Sequence, residues 1–250
     1  MNKNSKNKWQ IRLGLVLLAL SVVFYYLHYF IFRDSHHIFI YLLGDIAFVP
    51  VEVLLVTLII HSLLNAREKK AVLEKMNMVI GVFFSKAGTD LLRYFALSDP
   101  EAEKIRQGLS SDGDWTGSNL KKIKSGLRPY AYNITADNKL LEKSAALLKQ
   151  NQDFFLRLLE NPMLLEHDSF TSLLWAVFHL SEEVSRRESL SRISSADREH
   201  LAKDMQRVYA LLTLEWIDYM EYLNSEYPYL FSLALRLNPF DPEAGAEITE

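Results

Sequence analysis

The chain has no cysteine among its 250 residues, so it has neither a disulfide framework nor thiolate chemistry. Glycine and proline are sparse, nine and seven. That is about half their usual share, which disfavours a turn-rich β protein and favours long helices. No excess of one charge stands out: 28 basic and 31 acidic side chains leave a net charge of -3. This excludes a polybasic nucleic-acid binder, and a mean hydropathy close to zero excludes a highly charged disordered chain. The phosphate-cradling patterns GxxxxGK[ST] and GxGxxG, the zinc-protease HExxH and the nucleophile elbow GxSxG are all missing. No catalytic residue and no cofactor is therefore expected, and the balance is against an enzyme.

What is present is unevenly placed. Only five basic and three acidic side chains precede residue 66. Leu13 to Phe32 reads LGLVLLALSVVFYYLHYFIF, without formal charge apart from a protonatable His28, and at 1.5 Å per residue it covers about 30 Å, a hydrocarbon core. Ile38 to Leu64 is longer and would span with some tilt. A secretory signal would have a shorter apolar region of about 7–15 residues and a small-x-small site after it. Spans at about 12–32 and 38–64, retained as an anchor, are the expectation. Lys3, Lys6, Lys8 and Arg12 precede the first span, and Arg67, Lys69, Lys70 and Lys75 follow the second. The positive-inside rule then puts both termini in the cytoplasm of a multi-pass protein. The connecting turn, Arg33 to His37, is too short for an extracytoplasmic ligand domain or a re-entrant pore loop.

The second span carries Asp45, Pro50 and Glu52. Two carboxylates seven residues apart lie within about 20° on a helix, roughly 10 Å apart along it. Such groups face protein or water rather than lipid. Pro50 removes a backbone hydrogen bond between them. By depth, His28 matches Asp45 and Ser21 matches Glu52, so these are the expected internal partners. One reading is an interhelical clamp that holds the hairpin or a homo-oligomer together; the other is a cation- or proton-conducting seam.

Residues 66–250 read as helix almost throughout. A stalk over 66–97 carries one apolar stripe through Val72, Met76, Val79, Phe83, Ala87 and Leu91. It could lie on the membrane surface or face a core or a second copy. A helical domain is expected over 98–237, with one helix through Leu140–Leu159, one capped by Asp168, and a long one opened by a Ser194-x-x-Asp197 capping box. The tail, 238–250, is expected to be polar, acidic and unstructured. No strand-like alternation and no repeat stand out. The fold class is thus all-α: a two-helix transmembrane hairpin, residues 1–65, followed by a cytoplasmic multi-helix bundle or array.

Three further groups invite chemistry. Asp112 to Gly117 imitates the opening of an EF-hand loop, but Ile123 stands where the bidentate Glu belongs. His167, His179, Glu182, Glu183, Asp197, His200, Asp204 and Glu215 could converge inside a bundle, yet only one acid-x-x-His exists, Asp197 to His200. Surface histidines and solvated acids, with no metal, are the expectation. Lys121, Lys122, Lys124 and Arg128, beside Trp115, Tyr130 and Tyr132, form a basic–aromatic cluster suited to anionic lipid headgroups or simply to a solvated helix face.

The stretches YLLGDIAFVPVEVLLVTLII (Tyr41–Ile60) and EYPYLFSLALRLNPF (Glu226–Phe240) resemble segments of uncharacterised prokaryotic membrane proteins with two spans and a helical cytoplasmic part. The resemblance implies a plasma (inner) membrane location and brings no activity. The leading expectation is a membrane-anchored, non-enzymatic interaction or signalling module with the lipid bilayer, a second copy and a cytoplasmic protein as partners. The alternative is an oligomeric channel or ion-coupled transporter using Asp45 and Glu52, and behind both stands an enzyme with a bundle-borne metal.

Overall fold

In the computed structural model, which describes residues 3–109, 115, 117–164 and 167–247 (for 3–8 and 10 the backbone alone), the first helix, α1 (Lys3–Phe32), stops where Arg33 takes a φ of 49°. Its N–H still donates to the Tyr29 carbonyl at 2.8 Å. Asp34 then opens α2 (Ser35–Phe83): its Oδ1 accepts from the backbone N–H of His36 at 3.0 Å and of His37 at 3.2 Å. The non-helical turn is therefore Arg33–Asp34, shorter than the five residues expected, because a carboxylate cap lets the histidines join the helix. α2 stays helical through Pro50. From Leu13 to Leu64 nearly every large apolar side chain of these two helices is exposed.

The chain divides into two compact units, Met1–Lys69 and Lys70–Glu250. The second is built around two long helices, α8 (Asp168–Ser185) and α9 (Ser195–Glu226). α9 is about 48 Å long by its residue count and is the hub. It packs against α8, α3 (Thr89–Leu97), α5 (Gly117–Leu127) and α10 (Pro228–Arg236), while α8 also packs on α6 (Asn138–Gln150) and α7 (Gln152–Leu159). A short helix, α4 (Glu103–Gly108), contributes buried Ile105. No strand occurs among the described residues.

The stripe expected of a stalk goes into this core. Met76, Phe83, Ala87 and Leu91 are buried, and Met78 and Val82 are left exposed. Between α2 and α3 the chain widens to a π-helical turn, Phe84–Gly88. The inserted residue brings Phe83 and Phe84 inward together, their rings edge to face at 5.4 Å. Phe83 also meets Phe170 edge-on at 5.4 Å. Gly88 is obligatory here, since a Cβ would stand 2.7 Å from Phe83 and 2.8 Å from Phe84 ring carbons.

Several boundaries differ from the sequence expectation. The helix drawn through Leu140–Leu159 is two, broken at Asn151, whose Nδ2 donates back to the Leu147 carbonyl at 2.9 Å and competes with the backbone ladder. α8 is capped by His167, not Asp168: the Phe170 N–H donates to His167 Nδ1 at 3.2 Å. Ser194 caps α9 as expected, accepting from the Asp197 N–H at 3.2 Å, but Asp197 turns to Arg187 instead of closing the box. The 238–247 stretch is not loose at its start. Asn238 and Phe240 are buried, Asn238 Nδ2 donates to the Leu109 carbonyl at 2.8 Å, and Phe240 meets Trp216 at 5.7 Å.

Burial alternates along Tyr132, Ile134 and Ala136 in a non-helical segment where Tyr132 takes a φ of 43°, an alternation not seen in the sequence. Tyr130 OH donates to Asp99 Oδ2 at 2.7 Å, and Tyr132 sits edge-on to Tyr209 at 5.0 Å. Burial pushes the Tyr132 phenol up to about 12 and raises Tyr209 as well. A folded pKa above the unfolded value of about 10 means the unfolded chain loses its proton first. This stabilisation is complete below pH 10 and lost as the pH rises through 10–12. Denaturation of the full chain followed by circular dichroism should show stability falling across that window. Tyr132→Phe should flatten the fall by about 1.4 kcal/mol per pH unit; an unchanged slope would contradict the assignment.

Candidate functional site

Of the residues expected inside the first unit, Ser21 and His28 of α1 and Asp45 of α2 line one cleft of about 590 Å³, together with Leu17, Phe24, Tyr25 and Tyr41. Glu52 and Pro50 lie outside it. The His28 ring lies 4.8 Å from that of Phe32, tilted by 40°, and its Nδ1 is buried without a hydrogen-bond partner. The cleft gathers three polar groups in an apolar wall without yet bonding them to one another.

The basic–aromatic cluster comes apart. Trp115 belongs to the core, edge-on to Trp216 at 5.9 Å and Phe231 at 5.5 Å, and Tyr132 is buried beside Tyr209. Lys124 is bonded to Asp218 and lies 3.8 Å from Glu221. Lys121, Lys124 and Arg128 line a cleft with Glu215 and Asp218, so much of the positive charge faces acid. Lys121, Lys122 and Arg128 are exposed. The EF-hand-like Asp112–Gly117 falls largely outside the described residues.

The histidines and acids divide into local groups. Glu215 is buried, which raises its pKa, and it is influenced by Ser169 and His167. Glu182 accepts from Gln152 at 3.0 Å and from Arg186 at 2.7 Å. The remaining ones meet where α8 and α9 run antiparallel. His200 Nε2 is 3.6 Å from Glu183 Oε2 and 3.5 Å from Asp204 Oδ2, and His179 Nε2 is 3.6 Å from the same Asp204 oxygen.

Arg187 closes the helical hairpin beneath them. Its Nε and Nη2 donate to Asp197 at 2.9 and 2.6 Å, and its Nη1 donates to Glu183 Oε2 at 2.9 Å and to the Glu183 carbonyl. The guanidinium holds both carboxyls below their usual range, and they in turn raise its own pKa. The signal for this group was in the sequence as His179-x-x-x-Glu183 and His200-x-x-x-Asp204. Both are four-residue spacings that share a helix face, but the three-residue acid–His template did not look for them.

Two family models match the chain: "MJ1433, N-terminal helical domain" over residues 3–64 and "Uncharacterized protein MJ1433, C-terminal helical domain" over residues 72–236. Uncharacterized protein MJ1433 of Methanocaldococcus jannaschii is 45% identical over 234 residues, covering 94% of each chain. No solved structure matches.

Proposed function

The chain belongs to the MJ1433 family of helical proteins, and from that premise we propose that it is a two-pass membrane protein whose helical domain acts as a non-enzymatic interaction or signalling module. The carrying observation is that α1 from Ile11 and α2 up to Leu64 are long and apolar, yet their apolar side chains are exposed. The second unit by contrast buries a full aromatic and aliphatic core of its own. Exposed apolar area on that scale needs a cover, and a bilayer matches helices of this length. The basic residues flanking both helices support a cytoplasmic location for the helical domain and both termini.

The shared cleft of Ser21, His28 and Asp45 supports a polar clamp within the hairpin or toward a second copy. With a turn of two residues on the far side, a stimulus enters through the bilayer, the helical domain or a partner.

The absence of cysteine makes the topology directly testable. In intact cells, Ser35→Cys should react with a membrane-impermeant maleimide, and Ser189→Cys should react only after permeabilisation. Labelling of Ser189→Cys in intact cells, or recovery of the chain in the soluble fraction, would overturn the reading.

A further inference from the structure

Each of the two long helices presents one histidine and one carboxylate a single turn apart, and the antiparallel packing crosses them: Glu183 faces His200, and His179 faces Asp204. The Asp204 side chain is only 6% exposed, and its Oδ2 has no hydrogen-bond donor; its other oxygen is 3.5 Å from Arg207 Nη1. A buried carboxylate oxygen without a donor is costly, and this one points between two imidazoles. Those imidazoles are half-exposed, 49% and 54%, and free to turn about their side-chain bonds.

The spacing of the donor atoms suits an ion. Nitrogen and oxygen ligands about 2.0–2.2 Å from a tetrahedral metal stand about 3.4 Å from each other, against 3.5–3.6 Å between successive atoms here. As they stand the four atoms follow one another in a chain, and among the described residues no three are placed to hold an ion. Closure requires a swing of the half-exposed His179 and of Glu183 toward the fixed Asp204.

We propose that His179, Glu183, His200 and Asp204 form a binding site for a single divalent first-row transition ion of the zinc type, with Asp204 as the rigid ligand. Two imidazoles and two carboxylates are a donor set such ions accept readily, whereas a set without thiolate does not favour copper(I) or an iron–sulfur cluster. Arg187 Nη1 holds the same Glu183 oxygen at 2.9 Å, so on closing Glu183 exchanges that contact for the ion. A surface cleft of about 370 Å³, lined by Trp175, Phe178 and Glu182 among others, borders two of the four, His179 and Glu183. The ion would bind a face of the helical domain and lock the α8–α9 pair.

The test uses the full chain, stripped with a chelator and titrated with Co²⁺, then with Zn²⁺ as competitor. The expected result is one Co²⁺ per chain, with the visible absorption of a four- or five-coordinate nitrogen–oxygen site, displaced by Zn²⁺. His179→Ala and Asp204→Asn should each weaken binding at least tenfold. His167→Ala, which only loses a helix cap, should leave it within twofold. Because His179 is half-exposed, its alanine variant keeps the fold even if Asp204→Asn does not, and circular dichroism checks this. No saturable uptake of either ion, or uptake unaltered within twofold by folded His179→Ala, overturns the site.

Discussion

Trp216→Ala is expected to destabilise the helical domain by about 3–5 kcal/mol, the range for truncating a buried large aromatic. Trp216 is 2% exposed, about two-thirds of the way along α9. It forms the joint of an aromatic row, edge-on to Trp115 at 5.9 Å on one side and to Phe240 at 5.7 Å on the other. Trp115 in turn meets Phe231 of α10. The cavity thus opens where α9, α10 and the C-terminal segment converge, beside a segment tied down by the Asn238–Leu109 hydrogen bond. A domain of this kind has a total stability of about 5–15 kcal/mol, so the loss is a large share of it. Chemical denaturation followed by circular dichroism measures it. Trp175→Ala supplies the contrast: that side chain is 57% exposed and should cost no more than about 0.5 kcal/mol. Equal effects for the two tryptophans would mean that the aromatic row is not the core.

Val22→Arg should have the second largest effect, and its size separates two environments. Val22 is 67% exposed in α1. On a helix in water such a change is worth within about 0.5 kcal/mol. At the centre of a membrane span an arginine costs about 2.5–3.5 kcal/mol on the insertion scale, on the order of a hundredfold in the inserted-to-excluded ratio. An insertion reporter fused behind α1 reads that ratio, with Val22→Leu as control. A shift below threefold for the arginine variant would place α1 outside the bilayer and remove the ground for the proposed function.

Much of the architecture could be read from spacing alone, because long helices with one buried stripe leave a 3.6-residue signature. The residues that escaped did so for identifiable reasons. Asn151 breaks a helix through a side-chain bond to its own backbone, which no periodicity reports. His167 takes the cap from Asp168 because its Nδ1 is the acceptor that stands 3.2 Å from the Phe170 N–H, three residues on. The π turn at Phe84–Gly88 shifts register by one residue inside an unbroken apolar pattern, so the sequence looks continuous where the helix widens. Phe240 lies among acidic and small residues that suggested a loose tail, but one aromatic with a waiting partner is enough to hold the segment down. Within α1 and α2, depth counting paired His28 with Asp45 and Ser21 with Glu52, and of these four His28, Ser21 and Asp45 line one cleft. Glu52 is not among the residues that line it.

The short connection between α8 and α9 also sets an order of events. Its ends are held by Arg187 to Asp197, ten positions apart, whereas other contacts of the domain tie Arg93 to Leu237 and Leu109 to Asn238, 144 and 129 positions apart. Short loops close in about 10–100 ns, and long-range pairings wait on the entropy of a much larger loop. The clasped hairpin, with its two histidines and two carboxylates on facing turns, is therefore expected to close before the first and last helices of the domain meet. An ion arriving at that moment would find its ligands on facing helix turns, needing only to swing inward, before there is a folded domain around them.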